Sequence, residues 1–243
     1  MKSEKIVSKA IDFRRSIRHY DQDLEIDEEI VKKCIKQAVL APNSSNLQLW
    51  QFYHIIDKKI INELSKSCFN QPAARTCKQL VVFVVRKDLW KKRANANAEF
   101  IKTTFLSDND NSIRRNKMAV NYYKKLIPAI YSDFFGLFGI IRYLFALLTG
   151  VFRPIYRQVC KSDLRVVAHK SCALAAENFM ISMAAYGYDT CPMEGFDSLR
   201  TKRTLKLPNS SEINMIISCG KRSKKGVYGP RFRIPFDQVY FRK

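Results

Sequence analysis

The 243-residue chain contains 47% hydrophobic residues and only eight Gly and eight Pro, which indicates a folded protein with a sizeable core and excludes a disordered chain. Its 43 Lys and Arg against 22 Asp and Glu give a formal net charge of +21, which favours anionic partners. The basic residues are spread along the chain and are not accompanied by a nucleic-acid recognition motif. We therefore expect no nucleic-acid partner.

The seven cysteines are scattered, with no Cys-x-x-Cys pair and no His at ligand spacing. This pattern favours neither a disulfide framework nor a metal site, and it is typical of a reducing compartment. The first twenty residues carry charges throughout and have no apolar run of signal-peptide length. These features predict a cytoplasmic protein.

The predicted elements are helices interrupted by a few apolar strands. Ser3 and Asp27 are predicted to cap two N-terminal helices, the second of which ends at Pro42. Apolar runs predict strands over 50–56, 80–85 and 213–219, and helical spacing predicts a long helix over 163–186. This order predicts an α+β fold in which helices pack over a small sheet, with residues 1–243 as a single domain.

Two segments have the residue types of a cofactor site. Residues 14–18 (Arg-Arg-Ser-Ile-Arg) form a cluster suited to a phosphate. Residues 187–197 (Gly-Tyr-Asp-Thr-Cys-Pro-Met-Glu-Gly-Phe-Asp) follow the long helix and predict a tight turn that exposes its backbone amides to a flat ligand. Together the two segments indicate a phosphorylated, planar cofactor.

Residues 134–152 are the most unusual stretch, because these nineteen residues contain a single charge, Arg142. The length reaches the lower range for a membrane span, but Arg142 near its middle costs about 2.5–3.5 kcal/mol in a bilayer, and a span would separate the two cofactor segments. Two alternatives remain. The segment is an apolar lid or dimer-contacting hairpin, or it lies in one leaflet of a membrane beside Lys124, Lys125, Arg153 and Arg157.

The C-terminal tail, residues 228–241, contains aromatic side chains without a helical period. Such a segment cannot bury its aromatic residues alone, so we expect it to wrap a partner or to add to the partner's sheet. A frayed terminus is the alternative.

Four segments in the same order resemble the FMN-dependent nitroreductase family, namely residues 14–20, 41–50, 187–197 and 229–235. The resemblance covers roughly residues 5–90 and 163–240. It implies a nitroreductase-like α+β fold with a small central mixed sheet flanked by helices and a C-terminal extension contributed to the partner subunit. It also implies a homodimer with FMN at the subunit interface. Residues 99–160 would form an apolar and basic insertion, which the resemblance explains least.

The resemblance implies that the two ends of the chain supply the cations around FMN. Arg14, Ser16, Arg231 and Arg233 resemble the phosphate side of the family's site. In the family's pattern Arg15 and Arg18 would lie toward the ribityl chain and the ring, and Arg18 is the candidate cation near N1 that stabilises the reduced flavin.

Three further segments complete the implied site. Pro42, Asn43, Ser44 and Asn46 resemble the loop that the partner subunit offers to the cofactor, although the loop read alone is only a turn. Asn70 and Gln71 match a pair near the pyrimidine edge. Family members often carry a Lys shortly after that pair; here either Arg75 replaces it or the contact is missing. Glu194 and Gly195 resemble the turn whose backbone amides face flavin N5 and O4, and Pro192 and Met193 precede them in the implied cofactor site.

The activity implied by the resemblance is that of an NAD(P)H-dependent FMN oxidoreductase. The same slot would hold NADH or NADPH first and the acceptor afterwards. The acceptor would be a small, flat, electron-poor aromatic molecule, namely a nitroaromatic or a quinone. Because the chemistry takes place at flavin N5, no catalytic side chain is expected, and Cys191 is expected to be a packed thiol and not a redox partner. The alternative is a membrane-surface flavoprotein, peripheral at the membrane, that acts on a hydrophobic quinone or a partner through residues 134–152.

Overall fold

The computed structural model describes residues 6–105, 110–133 and 137–243 of the chain. Ser3, the predicted cap of the first helix, lies outside these ranges. Ten α-helices lie within them: α1 (Val7–Phe13), α2 (Glu28–Ala38), α3 (Lys58–Ser67), α4 (Pro72–Arg75), α5 (Trp90–Thr104), α6 (Asp110–Asn121), α7 (Ile127–Tyr131), α8 (Leu137–Phe152), α9 (Lys161–Ala185) and α10 (Ser198–Thr204). A π-helical turn, Tyr122–Leu126, joins α6 to α7.

The helix ends follow the local sequence. The Asp27 side chain accepts from the Glu29 amide and so caps α2, as its position in the sequence predicts. Helix α9 ends where Gly187 adopts a positive φ of 72° and donates to the Ala184 carbonyl at 2.9 Å. Glycine reaches this left-handed conformation without strain, and it turns the chain from α9 into the next strand.

The four strands are β1 (Trp50–Ile55), β2 (Gln79–Val85), β3 (Asp189–Met193) and β4 (Glu212–Gly220). They form one sheet in the order β1-β2-β4-β3, and each pairing is antiparallel. Among the described residues, the parallel component expected of a mixed sheet is limited to the bridge between Ser16 and Thr190.

Strand β2 is buried on both faces, and its side chains alternate between two cores. Val81, Phe83 and Val85 point toward α2 and α9, whereas Leu80, Val82 and Val84 point toward α3. The face of α9 that contacts the first core carries the small and apolar residues that the sequence predicts, among them Ala168, Cys172, Ala175, Ala176, Phe179 and Met183. The sheet is therefore the middle layer of three.

One element differs from the expectation, and the structure defines a helix within the apolar stretch 134–152. Residues 189–193 form the edge strand β3, not part of a turn, and the turn is confined to Glu194 and the residues after it. The apolar stretch 134–152 contains α8, whose large side chains are exposed; residues 134–136 lie outside the described ranges. In the part of the chain that the structure describes, no helix is both long enough and apolar enough to cross a membrane.

Candidate functional site

The arginine segment 14–18 is attached to the edge strand β3. Ser16 forms a parallel bridge with Thr190, and the Ile17 amide donates to the Thr190 carbonyl at 3.1 Å. Ile17 is fully buried in the same core cluster as Cys191 and Met193. This buried anchor fixes the backbone from which the neighbouring arginine side chains extend.

The C-terminal segment lies beside the same arginines. The Arg18 amide donates to the Gly226 carbonyl at 2.8 Å, and Arg15 Nη2 donates to the Gly229 carbonyl at 2.7 Å. Arg231 Nη2 donates to the carbonyls of Asp12 and Arg14 at 2.7 and 2.8 Å. The N-terminal and C-terminal segments therefore meet at β3, and Arg14, Arg15, Arg18 and Arg231 are among the arginines of this region.

Two residues that the sequence analysis did not assign hold the C-terminal segment in place. Arg222 binds Asp189, which is only 4% exposed, through its backbone amide at 2.7 Å and through Nε at 2.9 Å, and its guanidinium lies 4.3 Å from the centre of the Phe13 ring. A Cβ on Gly226 would lie 2.8 Å from the His19 carbonyl oxygen, so this close approach requires glycine. Neither role has a signal in the local sequence, because each depends on residues more than thirty positions away.

The region carries an excess of positive charge. Arg14 Nε lies 4.0 Å from Glu177 Oε1, and that carboxylate is 54% exposed. Burial raises the pKa of the Cys191 thiol, while the charges of Arg18 and Arg14 act in the opposite direction. The thiol therefore stays protonated near neutral pH, which favours a packed core residue over a redox partner.

The turn after β3 is tied to the end of α3. Gln71 Nε2 donates to the Gly195 carbonyl at 2.8 Å, and the Asp197 amide donates to the Ser67 carbonyl at 2.8 Å. Asn70 precedes Gln71 with a left-handed φ of 52°. The structure thus brings the predicted pair at 70–71 to the predicted turn at 194–195.

The turn exposes backbone more than side chains. Glu194 and Gly195 are exposed and Pro192 is half-buried, whereas the Met193 side chain is buried in the core. A Cβ on Gly195 would lie 3.5 Å from Gln71 Nε2, which is an ordinary contact. Within the chain, then, nothing in the space around Gly195 requires glycine, and Met193 can contribute to a ligand site only through its backbone.

The loop that contains Pro42, Asn43, Ser44 and Asn46 is held by other elements. Ser44 N donates to Ser171 Oγ on α9 at 3.3 Å, and Asn46 Nδ2 donates to Asn97 Oδ1 on α5 at 2.9 Å. Asn43 Oδ1 accepts from the Gln48 amide at 2.8 Å and shapes the loop itself. These partners belong to α5, α9 and the loop, not to segment 14–18.

Two further predicted cations, Arg233 and Arg75, are exposed. Arg233 Nη1 donates to the carbonyl of its neighbour Phe232 at 2.7 Å, and the side chain is exposed. Arg75 is exposed on α4, where it lines a surface cavity of about 360 Å³ together with Gln22 and Glu25. Among the residues that the structure describes, no group of three or more His, Cys, Asp or Glu could hold a metal ion.

Fold and site together define a three-layer α+β protein with an arginine-rich site where its two ends meet an edge strand. The chain belongs to the Nitroreductase family, whose sequence model matches residues 11–221. It is 28% identical to protein DrgA of Synechocystis sp. over 218 residues, 88% of this chain and 83% of that protein. It is 23% identical to the putative NAD(P)H nitroreductase YdgI of Bacillus subtilis, covering 93% and 92% of the two chains.

A solved structure with a similar fold is a putative nitroreductase in complex with FMN from Exiguobacterium sibiricum. Its TM-score to this chain is 0.68 at 20% identity, and the match covers 99% of each chain. This likeness confirms the nitroreductase-like α+β fold that the sequence predicts.

Proposed function

We propose that the protein is an FMN-dependent oxidoreductase that uses NADH or NADPH to reduce flat, electron-poor acceptors such as nitroaromatics and quinones. The observation that carries the proposal is the meeting of Arg14, Arg15, Arg18 and Arg231 beside β3 and its exposed turn. Membership of the Nitroreductase family, a relative named as an NAD(P)H nitroreductase and a similarly folded protein in complex with FMN support it.

The arginine-rich end of the site fits the phosphate of FMN. A phosphate monoester carries about two negative charges near neutral pH and binds guanidinium groups in a bidentate manner. Arg14 and Ser16 supply donors from the N-terminal segment. Arg231 uses one of its three guanidinium nitrogens for the two carbonyls described above, so it can both lock the tail and bind an anion. Arg233, two residues after Arg231, belongs to this set in our proposal, and its side chain is exposed.

The other end of the site fits a flat ring. The exposed backbone at Glu194 and Gly195, backed by Pro192 and Met193, faces the ring, and Asn70 and Gln71 border its pyrimidine edge. Because the Gln71 side chain donates a hydrogen bond to the Gly195 carbonyl, it fixes the orientation of the turn at residues 194–195 and also lines the pyrimidine edge of the ring. Whether Arg75 takes the place of the lysine that relatives often carry stays a prediction.

The complete site in our proposal is built by a homodimer. The loop with Pro42, Asn43, Ser44 and Asn46 is held against α5 and α9 of its own chain, so we assign its contribution to the FMN of the other subunit. The exposed aromatic residues of the tail, among them Phe232, Phe236 and Phe241, support a role in wrapping the partner.

The chain's own residues bind, orient and stabilise charge. When bound, FMN would act as the electron carrier: it would take a hydride from NAD(P)H and then give two electrons to the acceptor that replaces the nicotinamide. Arg18 and Arg15 stabilise negative charge on the ring side of the site. No side chain of the site is assigned a proton-transfer role, so protons come from solvent. A cytoplasmic location stays a prediction.

The test is an absorbance spectrum of the purified protein, followed by anaerobic addition of NADH or NADPH. We expect flavin absorbance that bleaches with at least one donor and returns when menadione or a nitroaromatic is added. Parallel lines in a double-reciprocal plot of initial rates would support the two-step exchange. A colourless protein that does not bind added FMN would refute the proposal.

The second candidate acceptor is a hydrophobic quinone at a membrane surface, and the exposed apolar side chains of α8 favour it. We expect a long-chain quinone in vesicles to be reduced faster than the same quinone in detergent micelles. Equal rates would favour soluble acceptors.

A further inference from the structure

Helix α8 exposes its apolar face to solvent and packs its small and polar face against the protein, which is the reverse of an ordinary surface helix. The residues that face the protein are small or polar, namely Gly139, Arg142, Ala146, Thr149 and Gly150. The opposite face carries large apolar side chains that are about half to nine-tenths exposed, from Ile140 at 59% through Leu148 at 69% to Phe152 at 89%. We name this set the apolar face of α8: Leu137, Ile140, Ile141, Leu144, Phe145, Leu147, Leu148, Val151 and Phe152. A stripe of this size is the signature of an interaction site.

Arg142, the single charge in the helix, is directed into the protein. Its Nη1 donates to the carbonyls of Ala129 and Ser132 at 3.1 and 2.7 Å, and its Nε donates to the Val159 carbonyl at 3.2 Å. These bonds hold α8 against the end of α7 and the start of α9. The charge that opposes membrane insertion in the sequence is therefore absent from the apolar face.

The residues around α8 are strongly basic. Residues 111–162 contain nine Lys and Arg and one acid, Asp133. Arg153 follows the C-terminal end of the helix directly and Arg157 lies four residues further on, and both are exposed. Tyr143 and Tyr156 are also about half exposed, and tyrosine is enriched where apolar and aqueous phases meet.

We propose that the apolar face of α8 binds the surface of an anionic lipid membrane, with the helix lying in the plane of one leaflet. Sixteen residues span about 24 Å, which suits a helix lying in the plane of the surface. The apolar side chains would enter the boundary between headgroups and acyl chains, and the adjacent cations would contact anionic headgroups. The charge distribution favours this occupant over a second copy of the chain, because a copy would bring equally basic residues to the same face.

Co-sedimentation of the full chain with vesicles tests the proposal. We expect strong binding to equimolar phosphatidylcholine and phosphatidylglycerol vesicles and weak binding to pure phosphatidylcholine. The double variant Leu144→Glu/Leu148→Glu should weaken binding about tenfold or more, because two inserted apolar side chains become charged. The variant Arg153→Gln should weaken binding to the anionic vesicles about fivefold, because it removes one exposed cation beside the helix.

The matched control is Ile56→Glu/Leu199→Glu, which places the same two charges on exposed apolar positions outside α8. It should bind vesicles like the unmodified chain. Absence of sedimentation with both vesicle types would overturn the proposal, as would unchanged binding of the Leu144→Glu/Leu148→Glu variant. A fall in molecular mass of that variant by light scattering would also overturn it, because the face would then be a subunit interface. Sedimentation is independent of flavin content, so failure here and failure of the proposed reaction are distinguishable.

Discussion

Replacing Arg14 by alanine tests the assignment of the arginine-rich site to a phosphate. In the proposed complex the guanidinium makes a charge-assisted hydrogen bond to the FMN phosphate. Such a bond contributes about 1.5–3 kcal/mol, and since 1.4 kcal/mol is a factor of ten, the dissociation constant of FMN should rise about 10- to 150-fold.

The same substitution should hardly affect folding. The partner of Arg14 in the chain is Glu177, 4.0 Å away and more than half exposed. An ion pair of this kind contributes about 0–1 kcal/mol, so the Tm of the apoprotein should fall by less than about 4 °C. Loss of affinity with retention of stability is the signature that separates a ligand contact from a structural one.

The assay is titration of apoprotein with FMN, followed by flavin fluorescence, together with thermal unfolding. The matched control is Arg165→Ala, which also removes one cation and one ion pair, the pair with Glu212. Arg165 lies on α9, about 18 Å along the helix from Glu177. Arg165→Ala should bind FMN like the unmodified chain. Equal FMN affinity of the Arg14→Ala variant and the control would refute the phosphate assignment.

Three further predictions follow from individual contacts. Gly195→Ala should leave the stability of the apoprotein unchanged, because the added Cβ makes only a 3.5 Å contact. Gly195→Leu should weaken FMN binding about tenfold, because the larger side chain fills the space of the ring. Equal FMN affinity of the two variants would contradict this assignment. Arg222→Met leaves the buried Asp189 carboxylate without its guanidinium, so it should cost about 2–3 kcal/mol and lower the Tm by about 4–12 °C; an unchanged Tm would show that solvent replaces the pair. The hydrogen bond from Arg86 lowers the pKa of the Asp88 carboxyl below its ordinary value of 3.8. The ionised carboxylate therefore stabilises the folded state fully above that pH, and this contribution is lost as the pH falls through the pKa that Asp88 has in the folded state. Unfolding measured from pH 6 down to pH 2 should therefore show the difference between the Asp88→Asn variant and the unmodified chain shrinking below about pH 4, and a constant difference would argue against the pair.

Periodic and strongly biased segments could be read from the sequence alone. The buried strand β2, the long helix α9 and the cap of α2 by Asp27 lie where the sequence predicts them, because each depends on residues within a few positions of one another. The apolar character of residues 134–152 can also be read from the sequence, but the direction in which those side chains point cannot.

The sequence predicts that residues 187–197 form a turn, whereas residues 189–193 within them form the edge strand β3. Its pairing with β4 and its bridge to Ser16 supply the backbone partners that make it one. Proline is tolerated there because β3 lies at the edge of the sheet.

The sequence by itself determined which residue types are available: an arginine cluster, a Pro-Met-Glu-Gly turn and an apolar stretch with one charge. The tertiary structure decided which of them meet. Arg231 reaches Arg14, Arg222 neutralises Asp189, and Arg142 turns inward so that α8 presents an uncharged apolar face. These contacts join positions from 10 to more than 200 residues apart, and the direction of a side chain depends on what packs beneath it, which a local pattern does not encode.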